Sequence, residues 1–313
     1  MATVKQAFHD FLSNLVLTDA QETEASDQHV RLRKDLSRVV QLDPAHQTFL
    51  SGSYARKTAI RPLDDIDMFC VLLPTTTQRQ SWTPIEALAY IEKALKDTNP
   101  GKTPKIQNRS VNIAFTGTGI AYDVVPAFAS TSGFYIPDKG RREWIRSNPK
   151  IHQDKATAAN AGTDGDLKRL TRAVKQWNRG LPEDQQLRSF LLEVAAWDVL
   201  TSKPADTLVG LGDLLVGLGD RLARGPVPEP ARLGPNLDDD LSGAARTNAI
   251  ARLRDAGRQV REAAKRAADG ETEAAHYTLR ALFGQNYPEP GKPPAKPQGG
   301  APGGSDRDGS RFG

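Results

Sequence analysis

Phe49-Leu50-Ser51-Gly52-Ser53-Tyr54-Ala55-Arg56-Lys57-Thr58-Ala59-Ile60-Arg61-Pro62-Leu63-Asp64-Asp65-Ile66-Asp67 passes from a short apolar start through a stretch of small, turn-compatible residues to a pair of spaced carboxylates. It continues into Met68-Phe69-Cys70-Val71-Leu72-Leu73, so Ile66 to Leu73 is a compact apolar run suited to a central strand. Asp65 and Asp67 fall at that strand's beginning, where the two-residue period sends both side chains to one face. Upstream, Gly52 lets backbone come close to a phosphate, and Ser53 offers its hydroxyl and amide at the start of a following helical turn. A Gly-Ser pair alone is an ordinary turn, and a lone Asp-x-Asp is usually structural. Their order, a phosphate-gripping turn ahead of paired carboxylates, is what points to chemistry.

A third carboxylate joins them further along. Val111 to Phe115 and Ile120 to Val125, separated by Thr116-Gly117-Thr118-Gly119, read as hairpin strands. That pairing returns Asp123 to the mouth occupied by Asp65 and Asp67. Three carboxylates this close repel one another unless divalent ions neutralise them. Two ions about 3.5 to 4 Å apart activate an attacking hydroxyl and offset charge in phosphoryl transfer. Mg²⁺ fits the hard oxygen donors and nucleotide phosphates, with Mn²⁺ as the alternative.

Around this centre the chain is mostly helical. Val4 to Leu17 spaces Phe8, Phe11, Leu12, Val16 and Leu17 helically, and Thr18 to Leu42 continues with a more charged helix; the two cover a sheet or brace two lobes. Pro84 to Leu95 reads as a helix and Gly101 to Gln107 as a polar loop. Beyond Asp166 the helical stretches are Leu167 to Trp177, Gln186 to Leu200, Thr207 to Leu222, Leu241 to Ala268 and Glu271 to Phe283. Gly225-Pro226-Val227-Pro228-Glu229-Pro230 is a loop within them. The expected fold is α+β: a mixed-sheet catalytic lobe with N-terminal helices over 1–160, and a predominantly helical lobe over 161–287 that completes a cleft. The remaining 288–313 hold seven glycines and six prolines in 26 residues, and this tail is expected to be disordered.

Along the helix read at Leu167 to Trp177 and its end, Lys168, Arg172, Lys175 and Arg179 recur at intervals of four, three and four. They form one charged face able to contact phosphate, while Leu170, Val174 and Trp177 pack elsewhere. A solvent-exposed basic helix is the plainer reading of the same pattern.

The stretch Phe49 to Asp67 resembles the DNA polymerase β-type nucleotidyltransferase superfamily, and with Tyr122-Asp123-Val124-Val125-Pro126-Ala127-Phe128 it resembles the bacterial cGAS/DncV-like nucleotidyltransferases (CD-NTases) of CBASS anti-phage systems. The family pattern of a Gly-Ser motif, an Asp-x-Asp pair and a third acidic residue maps onto Gly52-Ser53, Asp65/Asp67 and Asp123. Segments around Trp144 to Pro149, Val174 to Asn178 and Leu187 to Glu193 look like corresponding family segments. By that resemblance the fold is polymerase β-like, and Lys175 and Ser189 contact the donor triphosphate while Phe190 contacts a base.

The expected reaction is attack of a ribose hydroxyl on the α-phosphorus of ATP or another nucleoside triphosphate, with loss of pyrophosphate. Asp65 and Asp67 hold the metals, and Asp123 completes the site and assists deprotonation. Cyclisation, and signalling through a nucleotide-responsive effector, are implied by the family alone. The alternatives are a linear oligoadenylate or RNA 3′-end nucleotidyltransferase, and a catalytically inactive nucleotide- or RNA-binding protein.

Composition sets outer bounds. Among 313 residues, Lys and Arg number 42 against 38 Asp and Glu, a formal charge of +4 that is mildly basic and not polycationic. One Cys and five His supply no zinc ribbon, and no sequence-specific DNA binding is expected. Cys70 sits among apolar neighbours as a buried strand residue of a reducing compartment. Neither a signal-peptide core nor 18 unbroken apolar residues occurs, so the chain reads as soluble, cytoplasmic and free of membrane. Some relatives have C-terminal tails that are conjugated by ubiquitin-like machinery, and the end at Ser310-Arg311-Phe312-Gly313 makes Gly313 a candidate for an E1/E2-type partner.

Overall fold

A computed structural model describes residues 3–63, 65–73 and 81–289. The tail beyond 289, with its conjugation candidate Gly313, lies outside the described residues.

The first lobe is built on a strand that alternates as its sequence does. β2 (Asp65–Val71) lies in a seven-stranded sheet with β1 (Thr48–Leu50), β3 (Lys105–Ile106), β4 (Val111–Phe115), β5 (Ile120–Ser130), β6 (Gly133–Asp138) and β7 (Glu143–Ser147). The order is β1-β2-β5-β4-β3, and the far end of the long β5 carries β6 and then β7. β2 and β5 run parallel; every other pairing is antiparallel. On one face Ile66, Met68 and Cys70 meet Tyr122 and Val124 under α2 (Asp19–Leu36) and α4 (Pro84–Thr98), in a core with Leu32, Leu36, Leu88, Ile91 and Leu95. On the other, Phe69, Val71, Val125 and Ala127 pack with Phe134 and Ile136. Asp65, Asp67 and Asp123 share the parity of that second face and cap its open end.

Local chemistry explains the helix starts. Thr18 with Gln21, and Thr83 with Glu86, form capping boxes, and Pro84 takes the first position of α4, where a missing N–H costs nothing. The same device starts α5 (Pro149–Ala161): Asn148 caps Ile151 and Pro149 leads. The sequence reading passed over this helix because its apolar positions are sparse. It also passed over β1, β6 and β7, and the expected loop at 101–107 contains β3.

The second lobe comprises α6 (Asp166–Arg179), α7 (Ser189–Val199), α8 (Thr207–Ala223), α9 (Gly243–Ala268) and α10 (Thr272–Phe283). Their shared core holds Leu170, Val174, Trp177, Leu192, Leu211, Leu215, Leu253 and Phe283. The first helix, α1 (Val4–Asn14), joins this core: Phe11 is fully buried, with its ring 4.7 Å from Phe283 and 5.9 Å from Tyr287. Although α1 falls within 1–160, its apolar stripe is buried among the helices of the second lobe. α8 and α9 approach backbone to backbone, since a Cβ on Gly257 would stand 2.6 Å from the Gly212 carbonyl oxygen. No described helix is long and apolar enough to cross a membrane.

Candidate active site

The parallel register of β2 and β5 sets Asp67 directly opposite Asp123, with Asp65 one step along the same face of β2. Asp123 is 8% exposed and accepts a hydrogen bond from Asn112 Nδ2 at 2.9 Å, whereas Asp65 is exposed. Burial, followed by the charges of Asp65 and Asp123, pushes the Asp67 carboxyl up to about 6, although Arg56 opposes the shift. Burial also raises Asp123; Asn112 counteracts this and Asp65 adds to it.

Gly52 meets this group at very short range. The Ser51 amide donates to the Asp67 carbonyl at 2.8 Å and ties the turn to β2. Gly52 has φ +63°, and a Cβ there would fall 1.6 Å from Asp67 Oδ2. Only glycine allows both the left-handed backbone and the approach of the carboxylate. After the single turn α3 (Gly52–Ala55), the amides of Thr58 and Ala59 bond back to the Ser53 carbonyl and close the loop.

These residues open onto a cleft of about 550 Å³ between the lobes. Gly52, Ser53, Asp65, Asp67, Lys175, Ser189 and Phe190 all line it, so the structure gathers the candidates named from sequence, with Asp123 beside Asp67. Ser189 opens α7 and is exposed; Phe190 is half-buried, with the Arg56 guanidinium 4.5 Å above its ring and His152 at 5.1 Å.

The basic face of α6 has another setting than expected. Arg172 Nη2 donates to the Lys57 carbonyl at 3.0 Å, Lys175 Nζ to that of Thr58 at 3.0 Å, and Arg179 Nη1 to those of Arg61 and Pro62. The face is thus a seam that fastens segment 57–62 to the helical lobe, because carbonyls of an irregular loop need donors. Lys175 is 5% exposed and pairs with Glu193, which is 1% exposed and also bonded by Arg56 and Thr58. Burial pushes the Glu193 carboxyl up, but Lys175 and Arg56 outweigh it and hold the group at about 2.

Sequence reasoning missed Arg56, Glu193 and His152. Glu193 carried a usable signal, a lone carboxylate within the apolar Phe190-Leu191-Leu192-Glu193-Val194-Ala195-Ala196, which has to be buried with a partner. His152 pairs with Glu229 across 77 positions, a contact with no local signature. Cys70 is fully buried and its thiol is pushed up to about 12 by that burial, which removes it from the chemistry.

The three carboxylates suit a hard divalent cation by donor type and by the burial and mutual crowding that raise Asp67. They are a loose donor set, since among the described residues no three His, Cys, Asp or Glu side chains are already drawn around one point.

Residues 1–160 match the family described as Second Messenger Oligonucleotide or Dinucleotide Synthetase (SMODS) domain. The chain belongs to this family. The SMODS chain is 32% identical over 203 residues to a cyclic AMP-AMP-AMP synthase of Acinetobacter, a match that covers 61% of this chain and 57% of that enzyme. Against a cyclic AMP-AMP-GMP synthase of Enterobacter hormaechei it is 24% identical, with 94% and 93% covered. The fold of the Vibrio cholerae DncV cyclic AMP-GMP synthase superposes with a TM-score of 0.68 at 17% identity, over 90% of this chain and 97% of that one. The polymerase β-like, bilobed α+β architecture is therefore that of this SMODS chain.

Proposed function

We propose that this protein condenses nucleoside triphosphates into a cyclic oligonucleotide second messenger, releasing pyrophosphate, and that the product acts on a downstream effector in anti-phage defence. The observation that carries the reading is the Asp67–Asp123 register pair, of which Asp67 lines a cleft with Asp65 and the Gly52-Ser53 turn. Each transfer forms a bond from a ribose hydroxyl oxygen to the α-phosphorus. The bond from that phosphorus to the α–β bridging oxygen breaks, pyrophosphate leaves, and the hydroxyl proton passes to Asp123 or solvent. Asp65, Asp67 and Asp123 would hold Mg²⁺ or Mn²⁺, which supplies the positive charge that acidifies the hydroxyl and offsets charge on the phosphate. Gly52 and Ser53 receive the donor phosphates, Ser189 and the Arg56–Lys175 wall lie along their path, and Phe190 offers an apolar surface to a base. ATP and other nucleoside triphosphates are the substrates, drawn from the cytoplasm.

The test is mass spectrometry of products from the purified protein with all four ribonucleoside triphosphates and Mg²⁺ or Mn²⁺, beside an Asp65→Ala, Asp67→Ala control. A cyclic product that resists exonuclease and phosphatase and disappears in the control is expected. Lengthening of a supplied RNA, or linear products only, would overturn the cyclic reading.

A further inference from the structure

Three groups from two lobes converge on the Glu193 carboxylate behind the cleft wall. Arg56, just after α3, donates through Nε to Oε1 at 2.6 Å and through Nη2 to Oε2 at 3.4 Å. Thr58 Oγ1 donates to Oε2 at 2.7 Å, and Lys175 Nζ lies 3.3 Å from the same oxygen. Lys175 is also bonded to the Thr58 carbonyl at 3.0 Å and to Thr58 Oγ1 at 3.3 Å, so its three donors are all placed. Arg56 has more donors than these contacts use and stands over Phe190 at the cleft. Two cations share one carboxylate here, where Glu193 is 1%, Lys175 5% and Arg56 7% exposed, and the Arg56 charge also acts on Asp67. Cations in so dry a place have to be held by anions, and Glu193 holds two of them at once.

We infer that Glu193 is a positioning residue for the nucleotide's polyphosphate: gripping Arg56 of the catalytic lobe and Lys175 of the helical lobe, it aims the remaining Arg56 donors into the cleft wall along which the polyphosphate lies. This role rests on the nucleotide-transfer reading above. Burial pulls the Lys175 ammonium below its usual range, and Glu193 opposes that pull. With Gln at 193 that opposition is lost, and with it the carboxylate that aims Arg56.

The experiment measures calorimetric binding of α,β-methylene-ATP with Mg²⁺, and KM and kcat for ATP, in the wild type, Glu193→Gln and Glu193→Asp, with thermal unfolding of each. Glu193→Gln is expected to weaken binding and raise KM about tenfold or more with kcat altered less than about threefold, and Glu193→Asp to recover part of the loss. A merely structural role lowers the active fraction, so a fall in kcat at constant KM and constant affinity would overturn the inference. So would tighter binding by Glu193→Gln, because the carboxylate would then be a competitor of the phosphates. Should Glu193→Gln not fold, Glu193→Asp carries the test: its oxygens are set back by one methylene, a rise in KM is expected, and an unchanged KM overturns the role. Binding is read without turnover, which separates the two readings. A wild type that binds the analogue, loses it on Glu193→Gln and makes no cyclic product retires the cyclic-synthase reading alone. A wild type that makes product, with variants matching it, retires the positioning role alone, and a wild type that does not bind the analogue overturns both.

Discussion

Replacing Gly52 by Ala adds one methyl group at the point where the phosphate turn meets the carboxylates. Its Cβ would lie 1.6 Å from Asp67 Oδ2 and 2.6 Å from Cγ. To regain ordinary contact the carboxylate must withdraw by roughly 2 Å. The backbone cannot yield instead, because the Ser51 amide is bonded to the Asp67 carbonyl at 2.8 Å and holds turn and strand together. The left-handed φ of +63° adds about 1–2 kcal/mol for a residue with a Cβ. The expected result is a protein that folds, melts a few degrees lower and turns over about 100-fold more slowly, since misplacement of about 1 Å at a reacting centre costs that much. Pyrophosphate release under saturating ATP, with circular dichroism to confirm folding, measures it. Turnover within about threefold of wild type in a folded variant would refute the reasoning, because Asp67 would then work equally well from a different position.

Asp67→Asn tests the electrostatics of the same site in chelator-treated protein. Burial and the neighbouring carboxylates push the folded carboxyl up to about 6 from the ordinary 3.8, so the native state holds its proton more tightly and is penalised as pH rises through that window. Removing the charge should stabilise the protein by an amount on the order of 3 kcal/mol at pH 7.5, with the gain gone below about pH 4. Urea unfolding at the two pH values measures this, and equal stabilities at pH 7.5 would count against the crowded-carboxylate account. Phe11→Ala should cost about 3–5 kcal/mol, since the ring is fully buried between α1 and α10; a loss under about 1 kcal/mol would mean that α1 is not docked on the helical core.

Much of the site was legible because it rests on short-range rules. The two-residue period put Asp65 and Asp67 on one face, and Thr116-Gly117-Thr118-Gly119 marked the hairpin that brings in Asp123; both are local. Helices α1, α2, α4 and α6 to α10 carried their apolar periodicity openly, although α2 stops at Leu36 rather than Leu42. α5, with few apolar positions, did not, and β6 and β7 lie outside the alternating runs that mark strands.

The sequence by itself determined the chemistry available: a glycine where backbone must approach closely, carboxylates spaced to share a strand face, and helices enough for a second lobe. Tertiary structure alone decided which charges meet. The cations of α6 read as an exposed basic face, yet Lys175 is buried against a glutamate 18 positions ahead and a threonine 117 positions behind, while Arg172 and Arg179 bind carbonyls of 57–62. Helical spacing specifies which side chains share a face but not what that face packs against. That is settled only when distant segments close over it and each buried donor must find its acceptor.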